Sequence, residues 1–141
     1  MSHWIKVGLA ASFSLGIAVS GWAAESAGLN VREIMVAVIA PTTNKIWGAY
    51  EIKSDSQWLE LDQAASAVIA AAQLTAQGGA DGAYAEQAKN ADWQAFTQQL
   101  IGAARSAQLA IQNHDEEAMF TAGNDLMYAP CEGCHQIYLP K

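Results

Sequence analysis

From residue 30 onward, apolar positions recur at three- and four-residue intervals, the spacing of helices that each turn one face inward. The first stripe is Val31, Ile34, Met35, Val38 and Ile39. It opens on Asn30 and Glu33, a capping-box pair in which Asn30 accepts from the backbone while Glu33 reaches back. Pro41 has no amide proton and crowds the preceding turn, so the helix is expected to kink or restart there before Ile46, Trp47 and Tyr50 resume the stripe. A second helix is predicted to start at Ser54-Asp55-Ser56-Gln57, to bury Trp58, Leu61, Ala65, Val68, Ala72 and Leu74, and to end at Gly78-Gly79. A third starts at Asn90 or Asp92 and carries Trp93, Phe96, Leu100, Ala103, Ala104, Ala107 and Ile111 inward. Asn113-His114-Asp115-Glu116 separates it from a fourth, whose inward side chains are Ala118, Met119, Ala122, Leu126 and Met127. The longest loop runs from Gly78 to Lys89, with Gly82 in its middle.

Alternating Val/Ile/Thr runs are absent, and Ala, Gln, Leu and Glu fill the segments between turn residues. The expected fold class is therefore all-α. Four helices joined by short loops pack naturally as an antiparallel four-helix bundle, and many alanines allow close approach between them. Trp47, Trp58 and Trp93 fall at helical spacing, where large aromatics serve as core packing. With no tandem repeat and no Pro/Ser-rich linker, the helical part reads as one domain.

The chain's beginning has a different pattern. One lysine, Lys6, precedes the apolar run Val7 to Val19, and Ser20-Gly21-Trp22-Ala23-Ala24 follows. This is the order of a secretory signal peptide over residues 1–23, with cleavage after Ala23 or Ala24, and the run is short for a membrane span. The domain is then residues 24–141, with no stable membrane span after processing. Loss of Lys6, and of no acid, moves the formal charge from −7 to −8. Such an acidic chain is unsuited to nucleic acid and better suited to a partner with a basic docking face.

The only two cysteines stand in Cys131-Glu132-Gly133-Cys134-His135, close to the C-terminus. A Cys-x-x-Cys-His string reads as a site of covalent haem attachment: the thiols add across two porphyrin vinyls as thioethers, and the imidazole ligates iron. A zinc site would require two more Cys or His ligands, and outside the motif only His3 and His114 remain. A thioredoxin-like pair would be expected in a βαβ setting, which the flanking sequence lacks. Export and haem attachment agree, because bacteria join haem to such motifs outside the cytoplasmic membrane. The expected cofactor is one haem c, and the expected location is the periplasm.

The whole pattern resembles the class II cytochromes c, the family of cytochrome c prime and its low-spin, methionine-ligated relatives. The likeness rests on the motif with Tyr138 after it, and on Val31-Arg32-Glu33-Ile34-Met35 continuing to Pro41 and Ile46-Trp47. The middle helices match in character only. The resemblance implies an up-down-up-down bundle with haem at one end, His135 as one axial ligand, and the opposite face of the iron decided by the first helix. Met35 is the candidate there, with Val36 or Ile39 as alternatives if the register differs by a turn. Met119 and Met127 lie on the helix that carries His135, and His114 falls in a loop. A first-helix arginine meets a haem propionate in the family; Arg32 stands at that place, with Glu33 and solvent as its other partners. Ile39 and Tyr138 are further pocket candidates. Pro130 departs from the family pattern and suggests a break, with the motif on a short separate turn beginning at the proline.

The resemblance thus implies an electron carrier rather than an enzyme, with His135 and Met35 on a low-spin iron. The alternative is a five-coordinate protein that binds nitric oxide or carbon monoxide, with Met35 only lining the distal pocket. A peroxidase would want a polar distal group, and Arg32 is the only one the first helix offers. Some relatives form homodimers through their first helices, an arrangement compatible with this chain.

Overall fold

A computed structural model describes residues 28–139, so the leader and its cleavage site lie outside the described residues. Four helices pack against one another as a bundle: α1 (residues 31–47), α2 (Asp55–Ala76), α3 (Ala91–Gln112) and α4 (residues 116–138). Neighbours run antiparallel. Trp93 at the start of α3 reaches Thr75 at the end of α2, Gln108 reaches Ser66 near the middle, and His114 just past α3 stacks on Trp58. On the other side, Trp47 at the end of α1 donates its indole N–H to the Gly123 carbonyl of α4 at 2.7 Å. Among the described residues, no helix is long and apolar enough to cross a membrane.

The helix starts follow from local chemistry. Asn30 and Glu33 form both halves of the capping box, each bond 2.9 Å long. Ser54 caps α2 by accepting from the Gln57 amide, and Asp115 caps α4 by accepting from Ala118. Each such cap is worth about 1 kcal/mol. Asn90 occupies the cap position of α3, but its side chain makes no capping bond. Glu116 turns back from α4 and accepts from the Glu51 and Ile52 amides, tying the α1–α2 loop to the base of the fourth helix. The 77–90 loop reverses through Gly78, Gly79 and Gly82, all at positive φ, and contains the short 3-10 turn Gln87–Lys89. At Gly79 the close approach matters as well, since a Cβ there would stand 2.7 Å from the Val31 nitrogen.

Pro41 and Pro130 are accommodated without the expected breaks. In α1 the turn Ile34–Ile39 opens to π geometry, the Ala40 amide bonding to the Met35 carbonyl, and regular helix continues through Pro41 to Trp47. The Thr42 and Thr43 hydroxyls donate to the Val38 and Ile39 carbonyls at 2.6 and 2.8 Å. The wider turn thus absorbs the donor that proline lacks, in place of a kink or restart at residue 41. The same device appears in α4, where Ala122–Met127 is a π turn and Tyr128–Tyr138 continues through Pro130 and the cysteine motif. The motif is part of a continuous helix, not a separate turn.

The core contains Ile34, Ile46, Val68, Trp93, Ile111, Met119 and Met127, each at most 2% exposed. Between α2 and α3 the contact surface is mostly alanine: Ala64, Ala65, Ala71 and Ala72 face Ala103, Ala104, Ala107 and Ala110, all buried. Small side chains let the axes come close, toward the lower end of about 8–10 Å for packed helices. Four stripe assignments change. Tyr50 is exposed because α1 ends at Trp47, and Leu74 is exposed while Thr75 takes the inward place. In α4, Ala118 is exposed, and the extra residue of the π turn rotates Leu126 outward while Gly123 and Met127 point inward. Trp58 and Trp93 are buried and Trp47 is half-buried, as core aromatics should be.

Candidate functional site

Helix α1, the 77–90 loop, and the facing ends of α3 and α4 enclose two adjoining cavities at one end of the bundle. The larger, about 420 Å³, is lined by Val31, Arg32, Met35 and Val36 of α1, Tyr84 of the loop, Trp93 of α3, and Cys134, His135, Tyr138 and Leu139. The smaller, about 50 Å³, is bounded by Met35, Ile39, Thr75, Phe96, Thr97, Leu100, Pro130, Cys131, Cys134 and His135. Met35, Cys134 and His135 line both. One thioether from α1 and a thiol and imidazole from α4 therefore meet at the boundary between the two spaces.

The motif's helical continuity places its side chains. Cys131 and Cys134 are three residues apart on α4 and so share a face, and both are half-buried against α3. Gly133 lies between them where α4 meets α3: a Cβ there would come within 2.6 Å of the Phe96 ring. His135 is exposed at the cavity edge, Met35 is half-buried, and Arg32 is exposed at the rim. Met119 and Met127 lie in the core and line neither cavity, while His114 stacks face to face on Trp58 at a centroid distance of 4.8 Å.

Electrostatically the two thiols are held neutral. Burial raises Cys131, and burial, with smaller effects from Cys131 and Asp92, pushes Cys134 up to about 11. At neutral pH neither sulfur is a ready thiolate, the form in which cysteine attacks or binds a bare metal ion. Among the described residues, no three His, Cys, Asp or Glu side chains are grouped to hold such an ion.

Tyr84 was not singled out by pattern reasoning, and Trp93 was read only as core. Tyr84 sits in a loop without periodicity, stacked on Trp93 at 5.4 Å. Trp93 is both core and cavity wall: its indole N–H donates to the Thr75 carbonyl at 3.0 Å and its ring meets Tyr138 edge-on at 5.0 Å. Tyr138 in turn donates to Asp92 at 2.5 Å and accepts from Asn90 at 3.2 Å. That hydroxyl holds the Asp92 carboxyl below its ordinary range, and Asp92 raises the Tyr138 phenol. Phe96 and Leu100 were legible as inward residues of α3, but not as neighbours of the motif.

No family model, curated protein or solved structure matches this chain. The fold and site define an all-α protein of four packed helices, with a Cys-x-x-Cys-His helix facing a methionine across a cavity.

Proposed function

We propose that the chain is an exported c-type cytochrome that carries single electrons in the periplasm, of the class II kind its sequence resembles. The observation that carries the reading is the convergence of Met35, Cys134 and His135 on both cavities. The residues fit a haem. Two thiols share a helical face, an imidazole follows directly, a thioether stands on the facing helix, and apolar and aromatic side chains form most of the wall. The larger cavity falls within the roughly 300–1,000 Å³ of cofactor pockets.

In this reading Cys131 and Cys134 would form the thioether links, and His135 and Met35 would be the protein ligands of the iron. Bound there, haem supplies reversible one-electron chemistry. Met35 as a ligand favours the ferrous state and raises the potential, and two protein ligands kept in both oxidation states limit rearrangement. The π turn Ile34–Ile39 sets which way Met35 points, and the Gly123–Trp47 bond keeps α1 against α4. Arg32, at the rim, would pair with a propionate in this reading. The acidic surface suits redox partners with a basic face.

A second reading keeps Met35 as pocket lining with one iron face open to nitric oxide or carbon monoxide. Met35 is half-buried among apolar cavity-lining side chains, an environment compatible with that role. Absorption spectra of the purified protein and of Met35→Ala decide between them. A low-spin ferric spectrum with the weak long-wavelength band of thioether ligation, lost in Met35→Ala, is expected for the electron carrier. High-spin iron that takes up carbon monoxide as soon as it is reduced would overturn the methionine assignment. Absence of thioether-linked haem would overturn both readings.

A further inference from the structure

We propose that Asp92, fixed in place by Tyr138, is a negative charge that biases the iron toward its ferric state; this rests on the haem reading above. Asp92 is the second residue of α3, where the helix dipole favours a carboxylate. Its Oδ1 accepts from the Trp93 amide at 2.8 Å and from the Tyr138 hydroxyl, while Asn90 donates to the same hydroxyl. Tyr138 stands one turn after His135 and lines the cavity that His135, Cys134 and Met35 line. Its ring is braced on Trp93, which is 1% exposed and anchored on α2. The carboxylate is exposed and lines neither cavity itself, and these bonds hold it at the cavity end of α3.

The charge stands one hydrogen bond from the cavity wall, because Tyr138, which lines the cavity, carries the hydroxyl that donates to Asp92. Other charges stand at this end: Glu86 pairs with Lys89 at 2.6 Å, Glu33 accepts from the Asn30 amide, Glu132 in the motif accepts from Gln136 at 3.3 Å, and Arg32 is a cation on the facing wall, whereas Asp92 is the carboxylate bonded to the cavity-lining Tyr138. Ferric iron carries one more positive charge than ferrous, so a fixed carboxylate stabilises it and opposes the ferrous preference conferred by a thioether ligand. Asp92 touches no iron ligand in this scheme. Tyr138 acts through it as a positioning residue.

The test is an equilibrium redox titration of the haem-bearing protein and of Asp92→Asn, which keeps the acceptor oxygen and removes the charge. At one ambient potential the ferrous-to-ferric ratio should rise about threefold, the scale of a solvent-exposed unit charge, with an unchanged ferric spectrum. High salt should shrink the difference. Tyr138→Phe should move the ratio the same way by less, and the double variant should not exceed Asp92→Asn, because Tyr138 acts only through the charge. Asn90→Ala, a neutral loss from the same cluster, should lower melting temperature more than it moves the ratio. An unchanged ratio in Asp92→Asn with the wild-type spectrum overturns the proposal and leaves the haem reading standing. Should Asp92→Asn fail to fold, an unchanged ratio in Tyr138→Phe overturns it equally. If the wild-type protein carries no haem, both fall, and that is visible before any variant is compared.

Discussion

Replacing Trp93 with phenylalanine tests how the bundle and the cavity share one side chain. The indole is 1% exposed, lies between Tyr84 and Tyr138, and donates to the Thr75 carbonyl. Phenylalanine keeps a ring in the site but gives up roughly 40 Å² of buried apolar surface, about 1 kcal/mol at 25 cal/mol per Å². The lost hydrogen bond adds about 1 kcal/mol and not the larger cost of an orphaned acceptor, because the Thr75 carbonyl still receives the Gly78 amide at 2.9 Å. Incomplete collapse of the gap raises the total toward about 3 kcal/mol, and Trp93→Ala should reach about 3–5 kcal/mol. The assay is urea unfolding followed by far-ultraviolet circular dichroism, with the midpoint falling at constant slope. A loss under about 0.5 kcal/mol for Trp93→Phe, the range of ordinary surface changes, would refute the dual role.

Two further outcomes follow from particular contacts. Gly79→Ala places a Cβ 2.7 Å from the Val31 backbone at a φ of +75°, so it should cost more than the roughly 1 kcal/mol of a simple glycine replacement, read by the same unfolding assay. Thermal melting should be flat near neutrality and fall on both sides. Asp92 and Glu60 have carboxyls held down chiefly by hydrogen bonds from Tyr138 and Lys45, so what they contribute is present above the ordinary carboxylate range and is lost as pH falls below about 4. Tyr138, raised chiefly by its bond to Asp92, and the free Cys134 thiol, raised by burial to about 11, contribute fully below their ordinary values and lose that contribution as pH rises through the folded ones. Blocking both thiols as thioethers should shrink the alkaline fall; an unchanged fall would show that Cys134 contributes nothing to it.

What could be read along the chain is what neighbours in sequence decide. The Asn30–Glu33 box, the Ser54 cap and the inward runs of α2 and α3 depend on residues three or four apart, which the helix itself brings together. The two prolines show the limit of that logic. Locally each should end a helix, yet burial of Ile34 and Ile39 before Pro41 and of Thr43 and Ile46 after it, and of Ala122 and Met127 before Pro130, favours an unbroken rod with one widened turn. That turn then changed which α4 residues face inward, so a stripe projected through it misplaced Leu126.

By itself, the sequence determined the four helices, their alanine-lined packing and a motif whose spacing puts two thiols and an imidazole on neighbouring positions of one helix. Only the tertiary structure decided what stands opposite. Met35 is a hundred residues from His135 along the chain, and antiparallel packing of α1 against α4 brings both to the same two cavities. The same holds for Tyr138, Asp92 and Trp93, whose contacts join α4 to α3 and α2. Periodicity specifies which face of a helix is buried. Only the closure of the bundle specifies which faces meet.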